Sequence, residues 1–152
     1  MSDSSKEVEV RDDQGRLTGR FEFADGQLHG QATLYDAGRV IAEIGYAHGV
    51  RHGEMRNYGQ FGQLSSVVSH ASGSPHGEAR YFHPEGGLAR CAHHKEGRLH
   101  GEVRDYAPDG KLVSCTIYVE GKKQAAVDEV PGPAPAAAVD ARKSWLTRLV
   151  EG

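Results

Sequence analysis

Glycine recurs in this chain in two columns with a fixed offset, and this recurrence limits the possible folds more than any other feature. The first column comprises Gly15, Gly38, Gly62, Gly86 and Gly110. The second column follows 11 residues later each time and comprises Gly26, Gly49, Gly73, Gly97 and Gly121. A unit that recurs every 20–50 residues or so is the signature of a repeat array. We therefore expect about five stacked copies of one small unit.

The glycines divide each repeat into two segments that have the length of β-strands. Segment A precedes a first-column glycine and segment B precedes a second-column glycine. The A-to-B turns include Pro84-Glu85-Gly86 and Pro108-Asp109-Gly110, in which proline presets φ and glycine supplies a positive φ. The segments between turns have about 6–9 residues, which is typical of strands. The sequence thus predicts an all-β fold, a single-layer antiparallel β-meander of about five hairpin repeats.

Segment B alternates with the period of two that a strand requires. Along one face, the successive residues are a large aliphatic residue, a small residue, a residue of intermediate size, and finally an aromatic residue or histidine. The residues at this last position are Phe23, Tyr46, His70, His94 and Tyr118. They could edge a shallow groove for a protein partner, since aromatic side chains with polar tips are favoured at interfaces. Alternatively, they pack on each other across the strands.

Segment A carries acid and base two residues apart, on the face opposite its apolar residues. The pairs are Glu54 and Arg56, Glu78 and Arg80, and Glu102 and Arg104. They could form an arginine ladder that binds a ligand, but surface ion pairs are common and weak, which favours a self-compensated, solvated face. An aromatic residue follows the apolar position of segment A at an odd offset, as at Tyr58 after Met55. This offset predicts a β-bulge.

The nine histidines and two cysteines do not form a recognisable catalytic or metal-binding pattern. Equivalent positions of a meander lie about 10 Å apart, too far for histidines of successive repeats to share one ion. Cys91 and Cys115 occupy equivalent positions, and the same spacing exceeds the roughly 7 Å that a disulfide spans. We expect reduced structural thiols, no metal, no cofactor and no enzymatic activity.

Charge and hydropathy restrict the range of partners. The net charge of −3 provides no electrostatic footprint for nucleic acid or an acidic membrane surface. No apolar run reaches the length of a membrane span, and the polar segment 1–6 does not resemble a secretory signal. We expect a cytoplasmic protein that is a monomer on its own or joins a heterocomplex.

The regular pattern occupies residues 7–123, after a disordered N-terminus at 1–6. A linker rich in proline and alanine follows at 124–138, and an amphipathic helix is predicted at 139–152, where Trp145, Leu146, Leu149 and Val150 form one stripe. We expect this helix to cap the last hairpin or to serve as a handle for a partner. Trp145 is therefore counted among the partner-binding candidates.

The paired glycines, the aromatic residue after His-Gly-Glu-x-Arg and the turn-Gly-x-Leu element resemble MORN repeats over about Glu7 to Lys123. The chain looks most similar to the bacterial variant form in YwqK-family antitoxins. The resemblance implies one long twisted sheet and protein binding, in bacteria often the neutralisation of a toxin. The expected role is an antitoxin or immunity protein. The alternatives are an adaptor, chaperone or scaffold for a secreted or assembled partner and, less favoured by the acidic balance, a lipid-binding module.

Overall fold

The computed structural model describes residues 4–126, which form twelve β-strands. No helix occurs within this range, and none is therefore available there to cross a membrane. The chain divides into two compact units, 1–75 and 76–152, and each is described by itself.

The first unit is an antiparallel meander in which each strand pairs with the next one along the chain. Its strands are β1 (Lys6–Arg11), β2 (Leu17–Ala24), β3 (Gln27–Asp36), β4 (Arg39–Ala47), β5 (Val50–Tyr58) and β6 (Leu64–Ala71).

The second unit continues the same pattern with one short extra strand. Its strands are β7 (Ser74–Phe82, of which the first two residues precede the boundary), β8 (Leu88–Lys95), β9 (Arg98–Leu99), β10 (Gly101–Tyr106), β11 (Leu112–Val119) and β12 (Lys122–Ala126). Strand β8 pairs with β7, β9 and β10, and β11 pairs with β10 and β12. The all-β antiparallel meander is confirmed.

The tight turns between segments B and A use two consecutive residues with positive φ. The residue before each second-column glycine, such as Glu96 or Glu120, has φ of 50–51° and the glycine follows with φ of 77–87°. This is the left-handed pair that a two-residue hairpin needs to match strand twist. The first of these two residues is never glycine. The glycine pattern therefore identified only the second of the two positions with positive φ in each turn.

The predicted bulges are present. The strand register shifts between Asn57 and Tyr58, and shifts at the equivalent position of the other repeats, including Asp105 to Tyr106. The shift turns Tyr58 toward its neighbours on β4, where its hydroxyl donates a 2.6 Å hydrogen bond to Glu43. At Tyr58 the bulge therefore accompanies a contact between an aromatic side chain and a charged residue of the neighbouring strand.

Directly paired residues share a face of the sheet, and this defines two faces in each unit. We call the first face the one that bears Ala32 and Ile44 in the first unit, and Ala92 and Val103 in the second. The second face bears the Glu–Arg pairs. The buried hydrophobic residues lie on both faces, as Val67 at 4% exposure and Ile117 at 1% show for the second. The alternation of segment B therefore locates only part of the core.

The last strand changes the predicted boundary of the repeat region. Strand β12 runs to Ala126 and includes three residues that the sequence assigned to the linker. It pairs with β11, so β11 has a hydrogen-bonded neighbour on each side. Backbone pairing accepts almost any side chain, so the end of the glycine pattern did not mark the end of the sheet. The rest of the linker, the predicted helix and Trp145 lie outside the described residues, as do residues 1–3.

Candidate functional site

A shallow groove of about 280 Å³ lies on the first face of the second unit, across β8, β10 and β11. Its floor consists of three residues with small or short side chains, Ala92, Val103 and Thr116. Ala92 and Val103 are 2% and 5% exposed, and Val103 pairs directly with Thr116. Because successive floor residues are small, the taller side chains around them enclose a concavity.

The walls of the groove are aromatic residues, a histidine and a leucine. Tyr81, His94, Leu99 and Tyr118 line it. His94 is paired with Gly77 and Tyr118 with Gly101 across the neighbouring strands. Gly101 has a positive φ of 109°, a backbone conformation that favours glycine at this position beside Tyr118.

A charged pair closes one end of the groove. The Arg90 guanidinium donates a 2.6 Å hydrogen bond to Asp105, and the Ser114 hydroxyl donates one of 2.9 Å to the other carboxylate oxygen. Burial opposes ionisation of Asp105, but the bonds from Arg90 and Ser114 outweigh it and lower the pKa of the carboxyl. The bond to Asp105 raises the pKa of Arg90. Both groups are thus held in their charged forms.

The groove brings together two of the residues predicted to bind a partner, His94 and Tyr118. Phe23, Tyr46 and His70 lie in the first unit and line no part of it. Phe23 and Tyr46 are half-buried, whereas His70 is 7% exposed and its Nδ1 lies 3.0 Å from the Val68 carbonyl oxygen. Its burial leaves His70 little surface for a partner.

Sequence reasoning missed Tyr81, Leu99, Arg90 and Asp105. A signal for Arg90 was available, because arginine stands there at the position where the other repeats carry Gly19, Ala42, Ser66 and Ser114. A long charged residue at a position otherwise occupied by small ones breaks the repeat pattern. Its partner Asp105 could be identified only from the register of β10 against β8.

Three of the four His-Gly histidines accept a hydrogen bond that stabilises a turn. Nδ1 of His29, His76 and His100 accepts the backbone N–H of His48, Glu96 and Glu120 respectively, over 3.2–3.3 Å. Each donor is the positive-φ residue of a B-to-A turn. Among the described residues no group of three or more His, Cys, Asp and Glu side chains could hold a metal ion.

The cysteines are free thiols with little nucleophilic character. Burial raises the pKa of Cys91 to about 11. Burial, together with its 2.8 Å hydrogen bond to Glu102, raises the pKa of Cys115 to about 12. Since the thiolate is the reactive form, neither side chain is prepared for covalent chemistry.

Two segments, residues 75–96 and 99–120, match the family model described as MORN repeat variant. They coincide with the strands that build the groove, and the match supports a MORN-repeat protein over this part of the chain. A comparison with curated proteins finds no match.

Proposed function

We propose that this protein is a non-catalytic protein-binding module whose partner docks in the groove of the second unit. The observation that carries the proposal is the composition of the groove, with small buried residues at its floor, tyrosines at its rim and a fixed Arg90–Asp105 pair at one end. Apolar side chains of a partner would pack on the floor, and polar groups would meet the tyrosine hydroxyls and the charged pair. Tyrosine and arginine are the residues that interfaces most often use in this way.

Binding is favoured over catalysis by the state of the charged groups. A general acid or base works best when its pKa lies near the working pH. The Arg90 and Ser114 hydrogen bonds move the pKa of Asp105 below its ordinary value, and so away from neutrality. The pair is suited to orient a partner and not to exchange protons with a substrate.

Within this class we favour an antitoxin or immunity protein that neutralises a bacterial toxin in the cytoplasm by direct binding. The support is the resemblance of the repeats to YwqK-family antitoxins and the match of two segments to the MORN repeat variant. The alternative is an adaptor, chaperone or scaffold for a secreted or assembled protein. A lipid-binding role would require a basic surface, whereas the net charge is −3.

The test is affinity capture from the native cell with the full chain and two kinds of variant. Tyr118→Ala and Tyr81→Ala each remove a wall of the groove, and we expect each to abolish capture of the partner. Tyr46→Ala, at the position equivalent to Tyr118 in the first unit, and Arg56→Ala are matched controls that should retain it. Equal loss in groove variants and controls, with unchanged circular dichroism, would contradict binding in this groove.

A second step separates the two biological roles. The captured protein is expressed in the cytoplasm alone and together with this chain. Growth arrest by the partner alone, relieved by the wild-type chain but not by Tyr118→Ala, is the result expected of an antitoxin. A harmless partner that is stabilised or delivered by the chain would favour the adaptor.

A further inference from the structure

The charged end of the groove has an uncharged counterpart in the first unit. Three residues on neighbouring strands pair across the first face in each unit, with the middle one paired to the other two. In the first unit they are Ala42, Asn57 and Ser66. In the second unit they are Arg90, Asp105 and Ser114. The second unit therefore carries a base and an acid at positions that the first unit fills with neutral side chains.

The neutral set shows that these positions do not need charge for their hydrogen bonding. In the first unit Asn57 Nδ2 donates a 2.9 Å hydrogen bond to the Ser66 hydroxyl, with alanine at the third position. In the second unit the Ser114 hydroxyl donates to Asp105 over the same distance, and Arg90 is added beside them. The arginine is therefore additional to what the local strand pairing requires.

Most of the hydrogen-bonding capacity of Arg90 is unused. A guanidinium carries five N–H donors, and Arg90 uses Nε to bond Asp105 Oδ1. Within residues 4–126 it makes no other hydrogen bond or ion pair. Both oxygens of Asp105, in contrast, already accept a hydrogen bond. The terminal nitrogens of Arg90 are thus the groups at this end of the groove that can still bind a ligand.

Exposure favours the same group. The Arg90 side chain is 53% exposed and the Asp105 side chain 32% exposed. Tyr81 pairs directly with Arg90 across β7 and β8 and is itself accessible, so its hydroxyl supplies a further donor close to the guanidinium. This end of the groove therefore presents a cation and hydrogen-bond donors, next to the apolar floor.

We infer that the groove takes a segment of a partner protein in which an aspartate or glutamate side chain adjoins a large apolar side chain. The terminal nitrogens of Arg90 bind the carboxylate, since a planar guanidinium matches a carboxylate in geometry and charge. The apolar side chain packs on Ala92, Val103 and Thr116. The inference rests on the proposed function and adds the charge and composition of the docking segment.

The carboxylate belongs to a side chain and not to a chain terminus. C-terminal carboxylates are typically captured by clusters of backbone N–H groups. The floor of this groove consists of strands that pair with their neighbours through the backbone. Its donors are side chains, and its volume of about 280 Å³ suits one or two side chains of the partner.

Selection from a library of random linear peptides, displayed as internal segments of a carrier protein and panned on the full chain, tests the inference. We expect the enriched sequences to share an acidic residue next to a leucine, phenylalanine or tryptophan. The strongest sequence is then synthesised as an amidated peptide and titrated by fluorescence anisotropy. Replacement of its acidic residue by the corresponding amide should weaken binding by about tenfold or more.

Variants of the chain link this effect to Arg90. Arg90→Ala combined with Asp105→Asn recreates in the second unit the neutral set of the first unit, which avoids leaving Asp105 without its cation. We expect this chain to bind the acidic peptide about tenfold more weakly and to no longer distinguish it from the amide peptide. Arg56→Ala, which removes an arginine from the second face of the first unit, is the matched control and should bind as the wild type does.

Three results would overturn the inference. The first is enrichment of lysine or arginine peptides whose binding is lost in Asp105→Asn and retained in Arg90→Ala. The second is a set of acidic peptides that still distinguish acid from amide in the Arg90→Ala, Asp105→Asn chain. The third is the absence of any enriched sequence. None of these affects the proposed function, which fails separately if Tyr118→Ala and Tyr81→Ala leave capture of the partner intact.

Discussion

The hairpins β5–β6 and β10–β11 carry the same charged pair at the same strand positions but place it in different surroundings. The pairs Glu54–Arg56 and Glu102–Arg104 have nearly equal N–O distances of 2.6 and 2.5 Å. The first pair is about half exposed, and the second is 7% and 15% exposed. The repeat sequence therefore specifies the local pairing, while burial decides how much the pair matters for stability.

The solvated-face interpretation of the Glu–Arg pairs holds for the first two and is wrong for the third. Around Glu102, the Arg104 guanidinium and the Cys115 thiol both donate to one carboxylate oxygen, at 2.5 and 2.8 Å. A buried carboxylate needs such donors, because an unpaired buried charge is costly. Burial alone would lower the pKa of Arg104, but the hydrogen bond that its guanidinium donates to Glu102 outweighs this and helps to raise the pKa.

The largest expected contrast comes from removing the arginine of each pair. Arg104→Ala leaves the buried Glu102 carboxylate without its cation, and we expect a loss of about 3–5 kcal/mol in the free energy of unfolding. Arg56→Ala removes an exposed pair and should cost about 0–1 kcal/mol. Urea denaturation at neutral pH measures both. Equal losses would show that burial does not distinguish the two hairpins.

Truncation of apolar side chains on the second face of β11 sharpens the same comparison. Ile117→Ala removes methyl groups from a fully buried site and should cost about 2–4 kcal/mol. Val113→Ala, at a residue that is 63% exposed, should change stability by less than about 0.5 kcal/mol. Thermal and urea unfolding of the two variants provide the measurement. A substantial loss from Val113→Ala would contradict the assignment of Val113 to the exposed part of β11.

The ion pair in the groove predicts a pH-dependent contribution to stability. The pKa of Asp105 is lowered in the folded state, so its contribution is present above the unfolded pKa of about 4 and is lost as the pH falls through the folded value. Asp105→Asn should cost about 1 kcal/mol at pH 7, and this deficit should shrink toward zero below the folded pKa. Urea midpoints at several pH values test this. A deficit that is the same at all pH values would assign the effect to packing and not to charge.

The smallest contrast concerns the turn histidines of the two hairpins. Nδ1 of His100 accepts the backbone N–H of Glu120, and His100→Ala should cost about 0.5–1 kcal/mol. His100→Asn, whose side-chain oxygen can accept the same bond, should recover part of the loss. His52→Ala is the control from β5–β6, since the described residues show no equivalent bond from Ser72 to His52, and should be nearly neutral. Equal effects of His100→Ala and His52→Ala, measured by urea unfolding, would contradict the role in the turn.

Much of the fold could be predicted from the sequence because its determinants are local. The glycine columns located the turns, the period of two identified the strands, and the odd offset of Tyr58 after Met55 predicted the bulge that the register of β5 and β6 shows. For the site, the sequence identified His94 and Tyr118 as members of one column. It could not identify Tyr81 or Asp105 as their neighbours, because the groove depends on which residues pair across strands.

Taken alone, the sequence determined the strand and turn positions and the alternation of side chains between two faces. These follow from steric limits on φ and from the geometry of a pleated strand, which act over a few residues. Only the tertiary structure decided that Arg90 forms an ion pair with Asp105 and that glycines pair with His94 and Tyr118 across the strands. It also decided which equivalent positions are buried. Glu102 and Ile117 are buried, whereas Glu78 and His93 are exposed. Such outcomes depend on residues far apart along the chain, and identical repeat positions therefore acquire different energies once the strands are assembled.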